Sequence, residues 1–288
     1  MALACIHTHT NFCDGSDDIE TCCRIAHNKG LSALGFSSHA PVTKKTGLRT
    51  HWNMPDERLD EYIETVLAAK KRWEGKLPIY LGLEVDFIPG LIGPADKDFR
   101  DMGLDFIIGG AHYVVPPKGE PFTIDDTPDA VLRGIRENFD GDHDAMVKAF
   151  FDCTEAMIRA GGFDVLAHPD VVKKNNLSAN IFSEEADYYQ KRTATLAELL
   201  AASGIVAEVN TGGLNRRKTI SCYPSAAFLK LLHKYGVPMV INADAHKAED
   251  LDGHYEQARQ AMLNAGYTET VIFAGRKNDR AVWNPEKL

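Results

Sequence analysis

The sequence of 288 residues lacks the features that mark membrane-spanning, secreted and nucleic-acid-binding proteins. No apolar run reaches the roughly 18 residues that a transmembrane helix needs. The first five residues carry no basic side chain and no long apolar stretch, unlike a secretory signal peptide. Long basic runs are missing and the formal net charge is -9, whereas nucleic-acid binding requires a positively charged surface. We therefore expect a cytoplasmic protein with neither a membrane nor a nucleic acid as its partner.

The six cysteines include no Cys-x-x-Cys pair. In a chain of this length without a secretory signal, free thiols are favoured over a disulfide framework. Cys5 and Cys13 flank the first pair of histidines. We interpret both as reduced residues close to a functional site, and not as metal ligands.

Short apolar runs of strand length alternate with longer amphipathic segments. The apolar runs are 3–6, 33–36, 79–83, 106–108, 163–167, 205–209 and 238–241. Helical patterns cover about 17–29, 55–74, 144–160, 184–202, 224–235 and 248–265. This alternation predicts an α/β fold with a mostly parallel sheet. Because no glycine-rich phosphate loop is present, seven such units favour a closed TIM-like barrel, and the lack of a linker predicts one domain over residues 1–288.

Histidines and carboxylates follow the predicted strands. They are His7-Thr8-His9, His39, Glu84-Val85-Asp86, His112, His168-Pro169-Asp170, Glu208-Val209-Asn210 and Asp244-Ala245-His246. The C-terminal ends of all strands of a parallel barrel open on one face, so these residues should converge. Side chains two positions apart in a strand point the same way, which pairs His7 with His9. Imidazole and carboxylate groups together suit zinc, manganese or iron.

The histidines away from strand ends need no metal. A lone histidine is more often a hydrogen-bonded polar residue than a ligand, and this interpretation applies to His27, His51, His143, His233 and His254. The other six of the 11 histidines stand at strand ends. Burying several imidazoles and carboxylates together in a barrel mouth would be costly without a cation. The sequence therefore predicts a metal centre.

The strand-end motifs, taken together and in order, resemble those of the PHP family (polymerase and histidinol phosphatase). The matching segments are His7-Thr8-His9-Thr10 with Asp14-Gly15, followed by 38–41, 82–86, 108–112, 167–170 and 242–246. One His-x-His motif is a weak signal, but the ordered set is specific. Segments 59–63, 82–87, 104–109 and 210–214 are most similar to the histidinol-phosphate phosphatase branch. That branch usually has Asp in place of Ser38, GSxH at 109–112 and GHxD at 167–170, and these departures leave the metal ligands intact.

The resemblance implies a distorted barrel of seven strands that holds three divalent metal ions (zinc, manganese or iron). The implied ligands are His7, His9, Glu84 and Asp244 for the first ion, Glu84, His112 and His168 for the second, and Asp14, His39 and His246 for the third. Glu84 would bridge two ions, and a metal-bridging hydroxide held in place through Glu84 and Asp244 would attack phosphorus. The implied phosphate contacts are Lys173 and Arg216. Arg217 is the alternative to Arg216, because Asn215 departs from the family pattern.

The implied activity is that of a phosphoric monoester hydrolase whose small-molecule substrate is L-histidinol phosphate, which it would convert to L-histidinol and phosphate in histidine biosynthesis. Three acidic residues near the predicted mouth could receive the amine of this substrate: Asp86, Asp125 and Asp170. Four aromatic residues keep a nucleobase platform open: Phe12, Trp52, Tyr113 and Phe122. The alternative is therefore a phosphatase or phosphoesterase of the same family that acts on nucleotides or another small phosphoester.

Two further classes fit the sequence less well. A non-catalytic metal-binding module usually goes with lost ligands, whereas all nine implied positions are filled here. An amidohydrolase also uses a His-x-His motif, but it commonly needs a bridging lysine, and we locate none at a strand end. The sequence thus favours a phosphatase over both.

Overall fold

A computed structural model describes residues 2–48 and 50–288. Seven parallel strands form a nearly closed barrel flanked by helices, and the barrel strands pair in chain order. Their bounds are β1 Ala4–Cys5, β2 Ala33–Phe36, β3 Ile79–Asp86, β4 Phe106–Gly110, β7 Val165–Leu166, β8 Val206–Asn210 and β9 Met239–Asn242. Each strand overlaps one predicted apolar run, which confirms the seven-stranded α/β barrel. The single domain over residues 1–288 stays a prediction, and it includes Met1 and Arg49, which lie outside the described residues.

Helices follow the barrel strands or lie in the connecting segments. In the described residues they are α1 Ile19–Asn28, α2 Thr43–Thr46, α3 Leu59–Arg72, α4 Lys97–Arg100, α5 Pro128–Asn138, α6 His143–Ala160, α7 Asn176–Ala179, α8 Asp187–Ser203, α9 Gly212–Asn215, α10 Ala226–Lys234 and α11 Tyr255–Ala265. Each predicted helical pattern overlaps one of them. The last pattern is interrupted before α11, because His254 has a left-handed φ of 59° that an α-helix cannot continue through. None of these helices has the length and apolar character needed to cross a membrane.

The barrel closes between its first and last strands at the C-terminal end. A parallel bridge joins Thr8 to Ala245. The amide of His9 donates to the carbonyl of Ala245 at 2.8 Å, and the amide of Ala245 donates to the carbonyl of His7 at 3.1 Å. The backbone that closes the barrel therefore belongs to the two motifs that carry histidines at either end of the chain.

The opposite end of the barrel is covered by a hairpin that the sequence patterns did not predict, formed by β10 Glu269–Lys277 and β11 Arg280–Lys287. Phe273 of β10 is 2% exposed and its ring lies 5.4 Å from that of Phe106, measured between centroids. Arg276 donates to Asp164 at 2.8 Å, just before β7 begins. Both contacts are at the N-terminal ends of barrel strands, so the hairpin seals the face away from the histidines.

Two short strands after β4 and the helix α5 were also missing from the predicted pattern. Strands β5 Tyr113–Val114 and β6 Phe122–Thr123 pair as an antiparallel hairpin, and α5 follows them. Two-residue strands are too short to show a periodic pattern. Their position matters for the site, because the hairpin leads directly to Asp125.

We predict that Phe273→Ala lowers the free energy of unfolding by about 3–5 kcal/mol, because it removes a buried ring that fills the end of the barrel. Chemical denaturation of the variant and of Lys277→Ala would measure this. Lys277 is exposed on the same strand, and its substitution should stay within about 0.5 kcal/mol of the parent. Equal stability of Phe273→Ala and the parent would show that the hairpin does not support the barrel.

Candidate metal centre

Glu84 in β3 lies at the centre of the histidine cluster and is 1% exposed. Five histidines surround its two carboxylate oxygens. Measured from Oε1 or Oε2 to a ring nitrogen, the distances are 3.1 Å for His168, 3.4 Å for His112, 3.1 Å for His39, 3.2 Å for His7 and 3.5 Å for His9. Oε1 faces His112 and His168, whereas Oε2 faces the other three. One carboxylate thus contacts two separate sets of imidazoles.

Four groups of side chains have ligand atoms within 4.8 Å of one another. They are His9-Asp14-His39-His246, His7-His9-Glu84, Glu84-His112-His168 and His39-Asp86-His112. Asp244 joins the second group through Oδ1, which lies 3.2 Å from Nε2 of His9 and 3.6 Å from Nε2 of His7. The structure therefore brings all nine sequence-predicted ligands together. It adds Asp86, which stands in the strand-end set of the sequence but belongs to none of the three implied ligand sets.

Around this cluster, two positions leave no room for a Cβ and two other residues have a strained, positive φ. A Cβ on Gly110 would lie 2.9 Å from Oε1 of Glu84, and a Cβ on Gly212 would lie 2.6 Å from Oδ2 of Asp244. A side chain at either position would displace a predicted ligand. Asp244 has a φ of 49° and His168 a φ of 21°. Non-glycine residues in this region cost of order 1–3 kcal/mol and cluster at functional sites.

Two buried carboxylates contact the ring nitrogens of predicted ligands that face away from the centre. Oδ1 of Asp86 lies 2.7 Å from Nδ1 of His112, and Oε1 of Glu208 lies 2.8 Å from Nδ1 of His7. Such contacts fix the orientation of a metal-binding imidazole and the nitrogen that faces the ion. The sequence analysis noted both residues at strand ends but assigned no such role, although inward-pointing acidic residues in β3 and β8 were the available signal.

Opposite charges dominate the electrostatics of the buried cluster. Burial alone would raise the pKa of Glu84, but positive charge on His7, His39 and His112 outweighs it and holds that pKa well below its ordinary value. Burial lowers the pKa of His112, yet the charges of Glu84 and Asp86 outweigh burial and raise it to about 10. Burial, helped by His246 and His39, lowers the pKa of His9 to about 3. A cation that binds here would displace protons from the histidines of raised pKa.

The donor set fits divalent metal ions. Several buried nitrogen and oxygen atoms have no hydrogen-bond partner among the described residues: Nε2 of His7, Nε2 of His9, Nδ1 of His39, Nδ1 of His168 and Oε2 of Glu84. Each unsatisfied buried polar group costs about 1–3 kcal/mol. Most of these atoms point at one another across the centre, and neutral imidazole with carboxylate is the ligand chemistry of zinc and similar ions.

The three predicted phosphate contacts lie in different surroundings. Arg216 lines the cavity over the cluster, and its Nη2 lies 2.9 Å from Oδ2 of Asp244. Arg217 is exposed, with a left-handed φ of 54°. Lys173 is 3% exposed and donates from Nζ to the carbonyl of Cys222 at 3.0 Å. Of the three side chains, the structure brings Arg216 alone into the cavity.

The three acidic residues predicted as partners for the amine of the substrate also lie in different surroundings. Asp170 is fully buried, where it accepts from the amide of Ser225 at 2.8 Å and pairs with Lys173 at 3.2 Å. Asp86 is 1% exposed and bound to His112. Asp125 lines the cavity and keeps 25% of its side chain exposed, with Oδ1 lying 2.5 Å from Nζ of Lys174. Only Asp125 of the three presents its carboxylate to the cavity.

A parallel barrel with a histidine and carboxylate centre at the C-terminal ends of its strands defines the class of metal-dependent hydrolases. The profile of the PHP domain family matches residues 6–212, and the chain belongs to this family. The resemblance indicated by the strand-end motifs is thereby confirmed.

Relatives and solved structures cover almost the whole chain. A probable histidinol-phosphatase of Deinococcus radiodurans is 27% identical over 274 residues, 94% of this chain and 96% of that protein. The crystal structure of a candidate histidinol phosphatase from Listeria monocytogenes has a TM-score of 0.77 at 22% identity, covering 88% of this chain and 98% of that one. The histidinol phosphate phosphatase of Lactococcus lactis, solved with zinc, L-histidinol and phosphate, has a TM-score of 0.62 at 17% identity, covering 96% and 99%. The two structures share the fold of this chain.

We predict that Glu84→Ala lowers the number of tightly bound metal ions per chain by two, since its two oxygens face two sets of histidines. Elemental analysis after dialysis against zinc would count the ions. Glu64→Ala, an exposed position on α3, is the matched control and should keep the full number. A full complement of ions in Glu84→Ala would refute the bridging role.

Proposed function

We propose that the protein is a metal-dependent phosphatase that hydrolyses L-histidinol phosphate to L-histidinol and phosphate. The observation that carries the proposal is a single cavity in which a cluster of metal-binding groups meets one guanidinium, Arg216, and one carboxylate, Asp125. The substrate has matching parts, a phosphate dianion and a cationic amine. The names of the full-length relatives support the same activity, and with it a place in histidine biosynthesis. A cytoplasmic location stays a prediction.

We propose three divalent ions, of zinc, manganese or iron, held by the nine predicted ligands. His7, His9, Glu84 and Asp244 would hold one, Glu84, His112 and His168 the second, and Asp14, His39 and His246 the third. When bound, the ions would supply Lewis-acid activation of water and of the phosphoryl oxygens. The groups of side chains whose ligand atoms lie within 4.8 Å support this division, with His9 also near the third set.

Arg216 is proposed to bind the phosphate. Its guanidinium is held against Asp244 and the ring of His246, at 2.9 Å and 2.8 Å, so it already lies beside the predicted ligands. A planar guanidinium can contact two phosphate oxygens at once. During hydrolysis an oxygen of water bonds to phosphorus as the ester P–O bond breaks, and the alcohol leaves with a proton. Arg216 would orient the phosphate for this displacement and balance its charge. Arg217 and Lys173 lack a comparable position.

Asp125 is proposed to bind the amine of the substrate. Nζ of Lys174 forms an ion pair with Oδ1 of Asp125. The partly exposed carboxylate also faces the cavity that Arg216 lines. Burial raises the pKa of Asp125, but the charges of Lys174, His112 and Arg216 outweigh it, so the pKa is lowered and the group stays ionised. An ionised carboxylate opposite a guanidinium suits a small molecule with one cationic and one anionic end.

The nucleotide alternative finds less support in the lining of the cavity. Phe12 and Tyr113 are 5% and 3% exposed. Trp52 packs beside Tyr113 with centroids 6.0 Å apart, and Phe122 packs edge-on to Phe139 at 6.0 Å. No aromatic ring other than histidine lines the cavity among the described residues. A nucleobase would therefore lack the stacking surface that the sequence had left open.

We predict that Arg216→Ala raises the Michaelis constant for L-histidinol phosphate while metal content stays unchanged. A charge-assisted hydrogen bond contributes about 1.5–3 kcal/mol, which corresponds to roughly 10- to 150-fold. Steady-state kinetics and elemental analysis on the same preparations would test both parts. Arg217→Ala is the neighbouring control and should change the constant little. A larger effect of Arg217→Ala would move the phosphate contact by one residue.

We predict that the zinc- or manganese-loaded enzyme has a higher kcat/KM for L-histidinol phosphate than for nucleoside monophosphates. In Asp125→Asn, kcat/KM for L-histidinol phosphate should fall at least about tenfold, because the amine loses a charged partner. The rate with an aryl phosphate, which has no amine, is the internal control and should stay close to that of the parent. Preference for a nucleotide would refute the assigned substrate, and loaded enzyme that is inert on every phosphoester would refute the phosphatase.

A further inference from the structure

Glu208 in β8 is fully buried inside the barrel, and its hydrogen-bond partners among the described residues are nitrogen atoms. Four of them surround the two oxygens. They are Nδ1 of His7 at 2.8 Å and Nδ2 of Asn242 at 2.8 Å on Oε1, and the amide of His168 at 3.1 Å and Nδ2 of Asn210 at 2.8 Å on Oε2. Four donors to one carboxylate fill its acceptor sites.

The donors themselves are fixed by further contacts. Oδ1 of Asn242 accepts from the amide of Ile6 at 2.9 Å, and Oδ1 of Asn210 accepts from the amide of Gly212 at 2.8 Å. These bonds orient both amide groups so that their NH₂ ends face Glu208. The carboxylate therefore lies among hydrogen-bond donors whose orientations are already fixed by other bonds.

This arrangement determines which nitrogen of His7 carries a proton. Oε1 of Glu208 can only accept, so Nδ1 of His7 must be the N–H. When a metal ion is bound, the lone pair of Nε2 would then be the one that faces the centre, where Nε2 lies 3.2 Å from Oε2 of Glu84. A glutamine at position 208 would place its NH₂ against two of the four donors in either orientation. One orientation would also force the proton of His7 onto Nε2, where it would block metal binding.

We propose that Glu208 is a positioning residue that couples two ligand sets of the metal centre. It selects the tautomer of His7, which belongs to the first set, and it anchors the backbone of His168, which belongs to the second. The inference rests on the proposed metal-dependent function, and it extends that function to a side chain which does not face the ions.

The test compares the zinc affinity of Glu208→Gln with that of the parent by competition with a chromophoric chelator. We expect affinity to fall about 10- to 100-fold, the usual effect of losing a partner behind a metal-binding histidine. Glu155→Gln is the matched control, because Glu155 is also a buried glutamate, 7% exposed, and pairs with Arg192 at 2.8 Å on the helices outside the barrel. Its zinc affinity should equal that of the parent. Zinc affinity of a folded Glu208→Gln within threefold of the parent would overturn the proposal.

A measurement on the parent protein decides the matter if Glu208→Gln does not fold. Long-range ¹H–¹⁵N correlation spectra of the zinc-loaded protein, assigned with a His7→Gln variant, report the tautomer of His7. We expect the proton on Nδ1, slow to exchange with solvent. A proton on Nε2 would overturn the proposal. Neither readout involves a phosphoester, so a protein that binds zinc as described but hydrolyses none of them would refute the proposed function and leave this inference intact.

Discussion

A buried carboxylate among five imidazoles is the interaction around which the barrel mouth is organised. Glu84 is almost inaccessible to solvent, and both of its oxygens lie within 3.1–3.5 Å of histidine nitrogens. An ionised carboxylate in such a place requires positive charge nearby, from protonated imidazoles or from divalent cations. Protons can satisfy some of these groups but not all, since His9 has a pKa near 3 and Nε2 of its ring has no hydrogen-bond partner. Divalent metal ions would supply the partners that these groups lack.

Other features of the fold keep Glu84 and its neighbours in place. The backbone of the first and last histidine motifs pairs through Thr8 and Ala245, so the barrel closes where the ligands stand. Glycines at 110 and 212 allow the backbone to approach Glu84 and Asp244 without displacing them. At the opposite end Phe273 fills the barrel from a separate hairpin. The residues that stabilise the barrel and those of the candidate site therefore lie at opposite ends, as is usual for barrels of parallel strands.

The convergence of the predicted ligands was predictable from sequence because a parallel barrel brings every strand end to one face, and six histidines stand at those ends. The residues that contact the outer nitrogens of these histidines could not be predicted in the same way. Which nitrogen of His7 faces inward depends on Glu208, and the hydrogen bond of Asp86 to His112 depends on side-chain orientations that spacing does not give. Similarly, the choice between Arg216 and Arg217 depends on where α9 ends, after which Arg217 takes a left-handed conformation and is exposed. The hairpin β10–β11 was missed because it is a largely exposed ribbon, although the Asn278-Asp279 turn, with φ of 50° and 59°, carried a signal.

Glu84 is proposed to hold together a centre of several metal ions. Crystals of the zinc-loaded protein, measured at the zinc absorption edge, test it most directly. We predict anomalous peaks at the sets His7-His9-Glu84-Asp244, Glu84-His112-His168 and Asp14-His39-His246, with Glu84 contacting the first two. A single peak away from Glu84, or no peak within its reach, would contradict the account.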